Sequence, residues 1–264
     1  MGIDRTRRIT FEEVADLYNE TRTLYPDALV EDIIRLSALK ADGRILEIGC
    51  GAGNATNSFA KRGYQLLGIE LGERLAQYAR QRCRDNPNAT IVQSEFESYD
   101  LPPRHFDLAI SADAFHWIRP EVGYPKVMSA LKETGSFAFF WQTTIDPQTG
   151  WSRAIDEIFR QRAPQFDRPN QPMDIEWVTG IIKGNFREYC GIEEVAVKTY
   201  DWFETLSAGK YVKLLRTYSG FRGMDDDLRE SLNKDIRAVI QSAGGSITQP
   251  YRVILFHARK PQHG

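Results

Sequence analysis

Ile45-Leu46-Glu47-Ile48-Gly49-Cys50-Gly51-Ala52-Gly53-Asn54-Ala55-Thr56 is a short apolar run, a glycine loop and the opening of a helix. Glycines at such a junction let the backbone turn sharply and let a ligand lie against bare main chain. A nicotinamide or flavin site calls for Gly-x-Gly-x-x-Gly or Ala there. Counted from Gly49 the final position is Asn54, and counted from Gly51 it is Thr56, so the dinucleotide fingerprint fails in both registers.

Outward from this loop, strand and helix signals alternate over 26–141, the pattern of a parallel sheet covered on both faces. Strands are expected at 44–48, 65–69, 89–92, 106–110 and 136–141, with helices near 27–40, 54–62, 73–84 and 121–132. Past Trp141 the alternation breaks into a segment rich in Pro, Gln and Asp, 142–173, around one helical stretch at 152–162. Two more strands are expected at 192–200 and 248–258, with helices near 207–218 and 225–242 between them. A connection that long carries a lid or a substrate surface. Arg80, Arg82 and Arg84 close one helix and Asp225, Asp226 and Asp227 open another, both expected as solvated ends that oppose the helix dipole.

Glu47 in the first strand, Glu70 after the second and Glu95 after the third resemble the class I S-adenosylmethionine-dependent methyltransferases, whose first motif is an acid followed by Gly-x-Gly-x-Gly. Glu47, Gly49, Gly51 and Gly53 match that motif, and the segments 106–117 and 131–137 resemble its fourth and fifth motif regions. The resemblance is to the methyltransferase type 11 and trans-aconitate methyltransferase-like small-molecule group. It implies an α/β fold: a Rossmann-like, doubly wound, mostly parallel seven-stranded sheet with helical lid insertions. It further implies one domain over 1–264, with a cofactor-covering helix at 10–25, a core at 26–141, an insertion at 142–173 and a lid at 204–245 before the last strand.

S-adenosylmethionine is the implied cofactor. Glu70 would accept hydrogen bonds from both ribose hydroxyls, with Leu71 beside it. Glu95 would face the adenine amino group, the Phe96 amide would meet a ring nitrogen, and Ser111 would border the same site. In the opening helix Arg22 is placed to pair with the methionine carboxylate and Tyr18 to close over the methyl end. A surface Arg beside a packing Tyr is the alternative.

Methyl transfer from a sulfonium is an in-line displacement, so positioning matters more than strong catalytic groups. The residues after the fourth strand, Asp113, His116 and Trp117, face the reaction in this reading, together with Tyr18. His116 is either a general base or a packing group, and Trp117 either a pocket wall or core. No Asn-Pro-Pro-Tyr or Asp-Pro-Pro-Tyr follows the fourth strand, and Cys50, Cys83 and Cys190 are not placed for attack on a pyrimidine. Trp202-Phe203-Glu204-Thr205-Leu206-Ser207, with Tyr211, Arg216 and Tyr218 beyond, resembles the lid of the trans-aconitate methyltransferase group, which implies O-methylation of a small carboxylic acid gripped by those three residues. A protein or RNA methyltransferase and a non-catalytic S-adenosylmethionine-binding protein stand as the other two readings.

The 34 Lys and Arg against 36 Asp and Glu leave a net charge of −2, which disfavours nucleic acid and acidic membranes as partners. Three widely spaced cysteines exclude a disulfide framework and a Cys-x-x-Cys metal site, and no metal is expected. The start has no apolar signal core, and a cytoplasmic protein with a small-molecule substrate is expected. Gly2 and Thr6 match the loose myristoylation pattern, which occurs often by chance. The sequence sets no oligomeric state.

Overall fold

Strand β1 (Arg44–Ile48) sends alternate side chains to opposite sides of the sheet, and both sides are covered. Leu46 and Ile48 enter a core with Phe115, Tyr124 and Phe186, whereas Ile45 enters a second core with Leu29, Ile33 and Phe59. The computed structural model describes residues 5–22, 24–171 and 173–261. Gly2, the acceptor of the lipidation pattern, lies outside them.

A 3₁₀ segment (Arg5–Val14) leads into α1 (Ala15–Thr21) and α2 (Asp27–Ser37). After β1 come α3 (Asn54–Ala60), β2 (Gln65–Glu70), α4 (Glu73–Arg82), β3 (Ala89–Gln93), β4 (Phe106–Ala112), α5 (Pro120–Ala130) and β5 (Leu131–Thr144). The remainder is α6 (Gly150–Arg162), α7 (Ile175–Cys190), β6 (Ala196–Ser207), α8 (Ala208–Leu215), α9 (Ser219–Arg222), α10 (Asp226–Ser242) and β7 (Ser246–Arg259). The seven strands lie in the order β3-β2-β1-β4-β5-β7-β6, with β7 antiparallel to both its neighbours and the other pairings parallel. The chain leaves β1 toward β2 on one side, while β4 pairs on the other. This reversal opens a crevice at the carboxyl ends, where open α/β sheets bind ligands.

The structure differs from the sequence reading in several places, among them the start of β5 at Leu131 rather than 136. The strand expected at 192–200 runs from Ala196 to Ser207, because the alternation of half-buried and exposed residues continues through Phe203 and Thr205. Residues 204–207, expected in the lid, belong to this strand, and the helix that follows starts at Ala208. Helix α7 was not expected. Its signals are an Asp174 cap, whose carboxylate accepts from the Trp177 N–H at 2.9 Å, and Gly191 in the left-handed conformation after its last turn. It buries Ile182 and Phe186 on one face. Finally, Arg82 is not a solvated helix end: its Nε donates to the Ala52 carbonyl at 2.8 Å and its guanidinium to Asn19 Oδ1 at 2.7 Å, tying the glycine loop to α1.

Ile155 and Phe159 of α6 pack with Leu215 of α8, Phe221 of α9, and Leu232 and Ile236 of α10, so these helices form a single helical layer with one core. Among the described residues no helix is long and apolar enough to cross a membrane.

His257 in β7 is buried with its Nε2 3.1 Å from Ser37 Oγ, and burial pushes its pKa down to about 4. In the unfolded chain the imidazole titrates near 6.5, so the unfolded state binds the extra proton between those values. Stability from this group is full above about pH 6.5 and is lost as pH falls toward 4, by at most about 3 kcal/mol. Chemical denaturation at a series of pH values will show this loss, and His257→Gln will flatten it. An unchanged slope in the variant refutes the assignment.

Candidate cofactor and acceptor site

Gly49, Gly51 and Gly53 all take positive φ (67°, 54° and 80°), a conformation costly for any residue with a Cβ. The space is closed as well. A Cβ on Gly49 would lie 2.5 Å from the Ala114 Cβ, and one on Gly53 would lie 3.0 Å from Ala79 in α4. The Gly49 and Cys50 N–H groups both donate to the Ile69 carbonyl, at 2.9 and 3.1 Å, which pins the loop to the end of β2.

Glu70 completes the pinning. Its Oε2 accepts from the Gly51 N–H at 2.8 Å and its Oε1 from the Gly72 N–H at 2.9 Å. Burial raises its pKa, and the backbone donors oppose that shift. Each oxygen keeps a further lone pair, and the residue borders the main cavity together with Leu71.

The other two acids behave differently. Glu47 points to the opposite side of β1, where Oε2 accepts from Thr56 Oγ1 at 2.6 Å and burial pushes its pKa up to about 8. Its Oε1 is buried without a partner. Glu95 borders the main cavity beside the buried Phe96, but its carboxylate pairs with Arg8, which also pairs with Glu97. Ser111 does not reach the cavity. Its hydroxyl donates to the Ile48 carbonyl at 2.7 Å, because Ser111 lies inside β4 with its side chain buried.

The main cavity holds about 910 Å³ between the sheet edge and the helical layer, toward the upper end of ligand sites, which run about 300–1,000 Å³. Arg22 stands in it with its guanidinium 5.1 Å from the Tyr18 ring and 5.0 Å from the Tyr218 ring. Its Nε is buried and unpartnered. A small adjoining hollow connects Arg22 with Glu47, Tyr25 and Asp113. A buried donor on Arg22 and a buried acceptor on Glu47, both unmet, are what the carboxylate and ammonium of an amino-acid group would satisfy. The residues therefore fit the methionine end of S-adenosylmethionine.

Asp113 is held by both of its oxygens. Oδ1 accepts from the Gln142 N–H and Oδ2 from the Tyr25 hydroxyl, both at 2.8 Å, and this places Asp113 as a brace between β4, β5 and the start of α2. His116 and Trp117 sit in a 3₁₀ turn, Phe115–Trp117, and border the cavity. The Trp141 indole donates to His116 Nδ1 at 2.8 Å, and burial pushes the His116 pKa down to about 4.

Of the three residues expected to grip the acceptor, only Tyr218 borders the cavity. Tyr211 is buried in the helical layer edge-on to Trp151, and Arg216 caps α8 outside the cavity wall. Sequence reasoning missed Trp141, Phe11 and Phe221, which do border it. Trp141 carried a usable signal, because it lies near the carboxyl end of β5 as Glu70 does of β2. Phe11 and Phe221 carried none, since both reach the cavity from segments that approach only through tertiary packing.

A family model described as a methyltransferase domain matches residues 45–135. An uncharacterized methyltransferase of Geobacillus sp. (strain WCH70) is 32% identical over 155 residues, covering 56% of this chain and 72% of that protein. Another uncharacterized methyltransferase, from Mycobacterium bovis, is 25% identical over 169 residues, covering 64% and 66% respectively. Among solved structures, a methyltransferase-named protein of Anaeromyxobacter dehalogenans superposes with a TM-score of 0.65 at 20% identity, over 92% of this chain and 99% of that one, a likeness of fold. By this family match, this relative and this fold, the chain belongs to the class I S-adenosylmethionine-dependent methyltransferases, and S-adenosylmethionine is its cofactor.

Proposed function

We propose that this methyltransferase acts as one domain, with 10–25 as a cover and the helical layer as a lid, on a small organic acid with an apolar body, methylated on oxygen. The observation that carries the reading is the cavity itself, which is roofed by Phe159, Leu215 and Phe221 of the helical layer and walled by Trp117 and Trp141 of the sheet edge. Such a chamber suits a small apolar body better than an RNA or protein surface. Its charged lining counts Glu70, Glu95, Glu97, Asp113, Asp167 and Asp174 against Arg8, Arg22 and Arg168. Arg168 is already paired with Asp156 at 2.5 Å, so a di- or tricarboxylic acid lacks the cations it would need. Three free thiols support a reducing, cytoplasmic setting.

S-adenosylmethionine, when bound, supplies an electrophilic methyl group on a sulfonium. The residues of this chain bind, orient and exclude water. Glu70 would hold the ribose, Arg22 and Glu47 the methionine end, and the aromatic walls would align the acceptor and keep water out. An ionised carboxylate is already the nucleophile and needs no base.

Glu70→Ala will lower S-adenosylhomocysteine affinity tenfold to a hundredfold by calorimetry, as expected for charged hydrogen bonds worth about 1.5–3 kcal/mol. Unchanged affinity refutes the ribose role. Arg22→Met will weaken S-adenosylhomocysteine binding by roughly tenfold or more and leave adenosine binding unaffected, whereas equal losses for both ligands would place Arg22 elsewhere. Labelled S-adenosylmethionine offered with pools of small acids, phenols, amines and tRNA will label an acid. Labelling of tRNA alone, or cofactor binding with no transfer to any pool, overturns the acceptor reading.

A further inference from the structure

His116 is a titratable group of the cavity wall whose chemistry a neighbouring side chain settles. It borders the cavity, and its ring lies 5.2 Å from the Trp141 ring with the indole Nε1 2.8 Å from Nδ1. An indole nitrogen only donates, so Nδ1 must be the acceptor and carry no proton. A neutral imidazole has one N–H, which therefore sits on Nε2. Burial holds the ring neutral. Among the described residues, no side chain or backbone group bonds Nε2.

The pair is held from both sides. Phe115, adjacent to His116, is buried against Tyr124 and Phe137 with ring centroids 5.0 and 4.8 Å away. Trp141 packs against Phe139 and Phe256 at 5.9 and 6.3 Å. To accept a proton on Nε2 from an acceptor, the ring would have to become imidazolium or move its proton to Nδ1. The first is opposed by burial, and the second breaks the Trp141 hydrogen bond and leaves a partly buried indole N–H unmet.

Resting on the acceptor reading above, we infer that Trp141 fixes His116 as its Nε2–H tautomer, and that His116 donates this hydrogen bond to an oxygen of the acceptor rather than serving as a general base. His116 then selects acceptors that present a hydrogen-bond-accepting oxygen, and Trp141 is a positioning residue acting through it. For a carboxylate, one oxygen takes the Nε2–H while the other is free to face the methyl group. A protonated amine finds a donor where it needs an acceptor.

The test uses the full chain saturated with S-adenosylhomocysteine and labelled with ¹⁵N-histidine, with 3-phenylpropionate and 3-phenylpropylamine as probes of matched shape. Long-range proton–nitrogen spectra are expected to show His116 with a bare Nδ1 and a protonated Nε2, and Trp141→Phe to bring in the second tautomer. The acid is expected to move the Nε2–H resonance and to bind more tightly than the amine by roughly tenfold, the worth of one hydrogen bond to a charged group. His116→Gln, whose amide nitrogen lies near the place of Nε2, is expected to keep that preference, and His116→Asn to lose it. A proton on Nδ1 in the unsubstituted protein, or an acid affinity no better than that of the amine, overturns the inference. S-adenosylhomocysteine binding on the same samples separates the two levels: its absence sinks the cofactor site, whereas its presence with a protonated Nδ1 sinks only the role of His116.

Discussion

The carboxylate of Glu70 is the interaction on which the ligand-binding edge depends. It lies at the end of β2, only 8% exposed, and receives backbone N–H groups from the loop after β1 and the loop after β2. Each charged hydrogen bond is worth about 1.5–3 kcal/mol, and removal of the carboxylate would leave two backbone donors unmet. The three glycines with positive φ hold their turn against the end of β2, where the Ile69 carbonyl receives the Gly49 and Cys50 N–H groups and Glu70 that of Gly51. The same carboxylate keeps further lone pairs, and Glu70 borders the cavity. Holding the loop and binding a ligand are thus two uses of one group.

The N-terminal segment is tied to the rest of the chain largely by polar pairs. Arg74 pairs with Asp16 at 2.7 Å, Lys213 with Glu20 at 2.7 Å, and Arg8 with Glu95 and Glu97. The Arg74–Asp16 and Lys213–Glu20 pairs are solvent-exposed and contribute little, whereas the Arg8 pairs are partly buried. Helix α1 buries only Ala15 and Thr21. The helical layer differs, because α6, α8, α9 and α10 share one apolar core.

Asp113 and His116 show how neighbours decide the use of a polar group. Both follow β4 and both face the crevice, yet Asp113 has each oxygen bonded within the protein, while His116 has one nitrogen bonded and one open to the cavity. The first braces, and the second is left with a donor to offer.

The strand, glycine loop and helix at 45–56 were legible in the sequence, as were the acids after β2 and β3, because these are local properties. Strand alternation, the conformational freedom of glycine and the carboxyl-edge position of a residue all follow from a few neighbouring positions. Helix α7 was also written locally, in Asp174 and Gly191, and went unread. The facing of Glu47 away from the main cavity, the loss of Arg216 from the acceptor wall and the hydrogen bond from Trp141 to a histidine 25 positions away were decided only by the tertiary structure. Those outcomes depend on which side of the sheet a strand position faces, on the rotational phase of a packed helix and on contacts between distant segments. One residue of phase in a strand or helix exchanges a cavity wall for a buried core or the outer surface, and only the packing of the whole chain sets that phase.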